Sequence, residues 1–119
     1  MRVVVWDESL HEKEERVHDV YPNGIANEIA AGIKKGLSFM NDCEIKCSNC
    51  EMDDFGFAEE ILDNTDVLVF WAHRSHDAFP DEIVERIYNR VMKGMGLIVL
   101  HSAHLSKVFK RLMGTSCTL

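Results

Sequence analysis

Basic charge is in short supply. Thirteen Lys and Arg stand against twenty Asp and Glu, for a net charge of −7. With no basic stripe to offset it, that balance repels a phosphate backbone and excludes nucleic-acid binding by counterion release. Long apolar runs are also missing. The N-terminus is apolar only from Val3 to Trp6 before Asp7 and Glu8 intervene. That is too short for the apolar region of a signal peptide, and no run approaches the roughly 18 residues of a membrane span. A cytoplasmic protein with no membrane partner is the expectation. Neither a Gly-x-Gly-x-x-Gly sequence nor a Walker loop occurs, so no nucleotide cofactor is expected. No repeat, low-complexity tract or linker divides the chain, and 119 residues suit a single domain, 1–119, built on one core.

Cysteine is sparse but clustered: Cys43, Cys47 and Cys50 lie close together and Cys117 stands alone. Nothing else suggests secretion, so free thiols are expected rather than disulfides. The Cys43-x3-Cys47-x2-Cys50 spacing matches that of iron–sulfur radical enzymes, but a chain this short lacks the barrel those enzymes need. A zinc site on Cys47 and Cys50 lacks the second Cys or His pair that would complete it.

The richest stretch runs from Asp66 to Asp77, where six apolar residues, Val67 to Ala72, lead into His73 and His76. An unalternated run of this kind predicts a strand buried on both faces, as in a parallel sheet. Arg2 to Trp6 and Met95 to Leu100 predict two more such strands, and Glu44 to Ser48 a weaker one at an edge. Between them, Ile25, Ile29 and Ile33 form a helical stripe that Lys34, Lys35 and Gly36 are expected to close through a left-handed cap. Phe57 to Leu62 predicts a short helix. Val84, Ile87, Tyr88 and Val91 mark a longer one opened by Pro80, Asp81 and Glu82. The last helix carries Leu105, Val108, Phe109 and Leu112, stops at Gly114, and is expected to begin around Ser102 to His104. Asp7 to Asn23 reads as a polar connection holding His11, Glu12 and His18.

Strand and helix alternate four times, which predicts a three-layer α/β fold with a flavodoxin-like parallel sheet in the order 2-1-3-4. A fifth strand is not evident, so the sheet is expected to be incomplete and covered by another subunit, making a homo-oligomer, or by missing sequence. Parallel strands share a direction. Four of the six histidines, His73, His76, His101 and His104, follow the third and fourth strands, and His11 follows the first. All therefore gather at the carboxyl edge, where open α/β sheets bind ligands.

Two chemistries fit such an edge. His11, His73 and His104, with Glu12 or His76 next in line, can hold zinc or another divalent metal. The same imidazoles can instead bind substrate hydroxyls without any metal. Ser102 sits where a strand meets a helix, the place of a nucleophile elbow, but Leu100 and His104 occupy the positions where an elbow needs small residues. A serine that caps the last helix is the simpler alternative.

Several segments, in one order along nearly the whole chain, resemble the ThuA-like trehalose-utilisation family. They are Val5-Trp6-Asp7-Glu8 with His11-Glu12, Tyr21-Pro22-Asn23-Gly24-Ile25, Trp71-Ala72-His73 with His76-Asp77, and Gly96 through His104. The resemblance implies a flavodoxin-like fold similar to class I glutamine amidotransferase domains and a role with trehalose or related disaccharides. Family domains are roughly twice this length, so it also implies the N-terminal half of a larger domain. The amidotransferase nucleophile is a cysteine, and Ser102 in that region argues against glutamine hydrolysis. On this basis His73, His104 and Ser102 are the candidate catalytic residues. Trp6, Glu12, Trp71, His76, Asp77 and His101 are the candidates for binding a small carbohydrate, with Trp6 and Trp71 as apolar platforms. A non-catalytic sugar-binding or protein-interaction module left by truncation is the alternative.

Overall fold

The computed structural model describes residues 1–118. Its centre is a parallel four-stranded sheet made of β1 (Arg2–Asp7), β2 (Glu44–Asn49), β3 (Val67–Trp71) and β4 (Gly96–Leu100). The strands run in the order β2-β1-β3-β4. The register sets Trp6 beside Phe70 and Asp7 beside Trp71, and it sets Val69 beside Ile98. The expected architecture and strand order are therefore those observed.

Among the described residues five α-helices accompany the sheet: α1 (Glu15–His18), α2 (Ile25–Gly36), α3 (Glu59–Asp63), α4 (Asp81–Met92) and α5 (Lys107–Met113). Because side chains alternate along a strand, β1 and β3 feed two cores. Val4, Trp6, Leu68 and Phe70 pack with Phe57, Leu62, Ile83, Ile87 and Val108, residues carried on or beside α3, α4 and α5. Val3, Val5 and Val69 pack on the other face against Ala26, Ile29 and Ile33 of α2. On that second face α2 lies over β1 and β2. Ile98 of β4 is consequently half exposed, at 50%.

Local chemistry moves several boundaries. Gly36 is the last helical residue of α2 and Leu37 follows as its cap with a φ of −101°, which is not left-handed, so the expected glycine cap does not form. The polar connection after β1 folds into a 3-10 turn, His11–Lys13, followed by α1. After β4 comes another 3-10 turn, His101–Leu105, and α5 begins later than expected. Ser106, not Ser102, caps α5 by accepting the Phe109 N–H at 3.2 Å. Gly114, at φ +68°, ends that helix in the left-handed conformation that favours glycine.

All four cysteines are free thiols. Among the described residues no helix is long and apolar enough to cross a membrane.

Candidate functional site

Three strand exits build the carboxyl edge. At the end of β1 two buried acids point in different directions. Asp7 shares a face with Val3 and Val5 and accepts the N–H of Ala26 at 2.9 Å, tying the strand to the first turn of α2. Burial pushes its carboxyl above the ordinary value, with nearby Glu12 and Glu8 adding to the rise against the N–H groups of Ala26 and Ser9. Glu8 turns toward the loop after β3. Its carboxylate accepts the N–H groups of Arg74 and Ser75 and the Ser75 hydroxyl at 2.8–3.0 Å. Burial alone pushes the Glu8 carboxyl up, but the N–H groups of Ser75, Arg74 and His73 and that hydroxyl overcome it and hold it below the ordinary range.

Glu12 has a similar architectural role. It receives the Ser9 hydroxyl at 2.7 Å and the Ile25 N–H at 2.9 Å, placing negative charge at the positive end of α2. Glu14 pairs with Arg74 and so joins the start of α1 to the same loop.

On this frame stands a cluster of aromatic and imidazole rings. His11 stacks on His73 with ring centroids 4.5 Å apart, and His73 meets His101 edge-on at 5.0 Å. Trp71 lies beside all three, at 5.7 Å from His11, 6.3 Å from His73 and 6.2 Å from His101. Ser102 joins two of the imidazoles from behind. Its Oγ is 2.6 Å from His73 Nδ1 and 2.9 Å from His101 Nδ1, and it donates to the carbonyl of Ala72 at 3.1 Å. Burial lowers the His11 pKa, and neighbouring His73 and Arg74 lower it further. His101 is exposed while His11, Trp71 and His73 are half buried, so the cluster forms a ledge at the sheet edge.

The sequence expectations fare unevenly. His11, Trp71, His73, His101 and Ser102 come together. Trp6 does not join them: it is fully buried, stacks on Phe70 at 4.7 Å and donates its indole N–H to the Phe55 carbonyl. The reason is strand parity, which sends Trp6 into the core shared by α3, α4 and α5. Trp71, one register position further along, takes the opposite face. His104 turns back on its own segment, with Nδ1 3.4 Å from the His101 carbonyl and Nε2 buried without a partner. His76 likewise has both ring nitrogens buried and unpartnered, while Asp77 is exposed.

The zinc expectation gains nothing from this arrangement. Among the described residues no group of three or more His, Cys, Asp or Glu side chains is placed to hold a metal ion. Of the expected set, His11 and His73 stack on one another, whereas His104 Nδ1 lies against the His101 carbonyl.

Sequence reasoning passed over Glu8, Ser75, Glu14 and Arg74. The available signal was Asp7-Glu8 itself, two acids directly following a buried strand at the edge where ligands bind. The strained residue of the β4 exit is also one position earlier than an elbow at Ser102 would place it. His101 has φ +54°, whereas Ser102 lies within the turn that follows. Two cavities are lined by residues outside this cluster. One of about 250 Å³ lies between Arg2, Glu44, Lys46 and Asn64, and one of about 640 Å³ lies between Lys34, Met40, Cys43 and Ile45.

A family model described as ThuA, trehalose utilisation, matches residues 2–118. No curated protein matches the chain.

Proposed function

The chain belongs to the ThuA trehalose-utilisation family, and from that premise we propose that it handles a trehalose-derived sugar on the imidazole ledge. The observation that carries the reading is the convergence of His11, Trp71, His73 and His101 at one sheet edge. A sugar ring offers an apolar face and a rim of hydroxyls. The Trp71 indole supplies a flat apolar surface for the first. The imidazole nitrogens of His73 and His101 supply hydrogen-bond partners for the second and can accept a proton from a hydroxyl. Glu8, Glu12 and Asp7 hold the loops in place and need not touch the sugar. The proposal includes a cytoplasmic site of action and an assembly of more than one copy, the latter supported by the exposed β4 edge.

Trehalose and its oxidised derivatives should therefore be titrated against the protein while Trp71 fluorescence and the histidine ring resonances are followed. Saturable binding that is lost in Trp71→Ala and weakened in His73→Ala is the expected result. Turnover of a bound sugar marks an enzyme, and binding without turnover marks a sugar-binding module. Absence of saturable binding to every sugar in the series overturns the proposal.

A further inference from the structure

The Ser102 hydroxyl has three polar neighbours and only one hydrogen to give. A serine hydroxyl offers a single O–H donor and two acceptor lone pairs. The Ala72 carbonyl can only accept, so the bond at 3.1 Å uses the Ser102 proton. The remaining neighbours, His73 Nδ1 at 2.6 Å and His101 Nδ1 at 2.9 Å, must then both donate. No other assignment satisfies all three contacts. If the hydroxyl donated to His73 instead, the Ala72 contact would have no hydrogen.

We propose that Ser102 is a positioning residue that fixes His73 and His101 together in the Nδ1–H tautomer, so that both present an unprotonated Nε2 at the ledge. Both Ser102 lone pairs are then engaged by N–H donors and its proton is held by a backbone carbonyl. Such a hydroxyl is not deprotonated by either ring, so it is not the nucleophile its place after a strand suggests. The imidazoles become the reactive groups. Each Nε2 carries a lone pair able to accept a hydrogen bond or a proton from a substrate hydroxyl. Protonation at Nε2 leaves the Nδ1–H bond to Ser102 intact, so a ring can gain and lose a proton without losing its orientation. The strained backbone of His101 fits this role, because φ +54° at the strand exit brings its ring to the same oxygen that His73 uses. This inference rests on the imidazole ledge of the proposed function but not on the identity of the sugar.

The test is long-range nitrogen–proton correlation NMR of the ring nitrogens in the ligand-free protein, at a pH where both rings are neutral. The expected result is the Nδ1–H pattern for His73 and His101 in the wild type. Ser102→Thr, which keeps the hydroxyl, should keep that pattern, and Ser102→Ala should release both rings to the Nε2–H form that neutral imidazole ordinarily prefers. An Nε2–H pattern at His73 in the wild type overturns the proposal, since it makes Ser102 a donor to that ring. So does covalent labelling of Ser102 by a fluorophosphonate, which marks an activated serine. The wild-type spectrum decides the matter even if Ser102→Ala does not fold. Because no sugar is added, failure here is separable from failure of the sugar-binding reading.

Discussion

Glu8 and Ser75, 67 residues apart in sequence, are joined twice, because one oxygen of the Glu8 carboxylate accepts both the backbone N–H and the hydroxyl of Ser75. The bond pins the loop after β3 to the end of β1, and the His73 ring rides on the start of that loop. Hydrogen bonds to a charged group are worth about 1.5–3 kcal/mol each, and leaving a buried N–H unpaired costs a similar amount.

Glu8→Gln should therefore lower unfolding stability at pH 7 by about 2 kcal/mol, read by urea denaturation. The sign of its pH dependence follows from the depressed carboxyl. A folded pKa below the ordinary 4.5 gives stability that is present above 4.5 and is lost as pH falls through the folded value. The gap between wild type and Glu8→Gln should close in acid. A gap that stays constant below pH 4.5 would show that the carboxylate charge is not what holds the loop.

His76 presents the opposite chemistry. Both ring nitrogens are buried and unpartnered, and its pKa is lowered from 6.5 chiefly by burial. His73 and Lys110 lower it further, whereas Glu8 and Asp77 oppose them. The fold thus prefers the neutral ring. Its contribution is fully present above pH 6.5 and is lost as pH falls from 6.5 through the folded value. His76→Leu removes two unsatisfied polar atoms and should match or exceed wild-type stability at pH 7.5, by up to about 1 kcal/mol. The variant should also lose less than wild type between pH 7.5 and 5.5, as measured by thermal unfolding at both values. Equal losses in the two proteins would exclude His76 as the titrating group.

The strands were legible because Arg2 to Trp6, Val67 to Ala72 and Met95 to Leu100 are largely unalternated apolar runs, and their order followed from the flavodoxin-like arrangement that a strand–helix alternation suggests. The two tryptophans were harder to separate, since each lies at or next to the end of a strand. Counting parity along the β1–β3 register distinguishes them: Trp6 is opposite Phe70, while Trp71 is opposite Asp7 on the other face. The turn at His101 had no signal at all. A positive φ in a non-glycine residue is imposed by tertiary packing and leaves no mark on composition or period. Ser102 precedes the apolar stripe, whereas Ser106 falls just after its first member, Leu105, so the pattern pointed to the earlier serine as the cap of α5.

Ser106 supplies a direct check on that last point. It is fully buried and its Oγ accepts the Phe109 N–H. Loss of such a cap typically costs about 1 kcal/mol, and Ser106→Ala should lose that amount in urea denaturation. Ser106→Asp keeps an acceptor at the helix start but must bury a charge, so it should not recover the loss. Ser102→Ala caps nothing and should leave the helicity of α5 unchanged by amide hydrogen exchange. Faster exchange across Lys107–Met113 in Ser102→Ala alone would reassign the cap.

The β4 edge carries the final prediction. A strand of sequence Gly-Leu-Ile-Val-Leu is composed like a central strand, yet here it pairs on one side only, with β3. Its other side presents unpaired N–H and C=O groups, and α2 leaves Ile98 half exposed on the face beside Val69. A bare, apolar edge of this kind invites a further strand, and edge strands that must stay single usually carry a charge or proline. β4 carries neither. The wild-type chain should therefore elute from a sizing column as more than a monomer, with antiparallel pairing of two β4 strands the simplest symmetric arrangement. Ile98→Lys places a charge on the exposed face, where it adds little strain within one copy but cannot be buried against another. That variant should elute as a monomer with wild-type secondary structure, whereas a wild-type protein that is monomeric at every concentration tested would end the assembly reading.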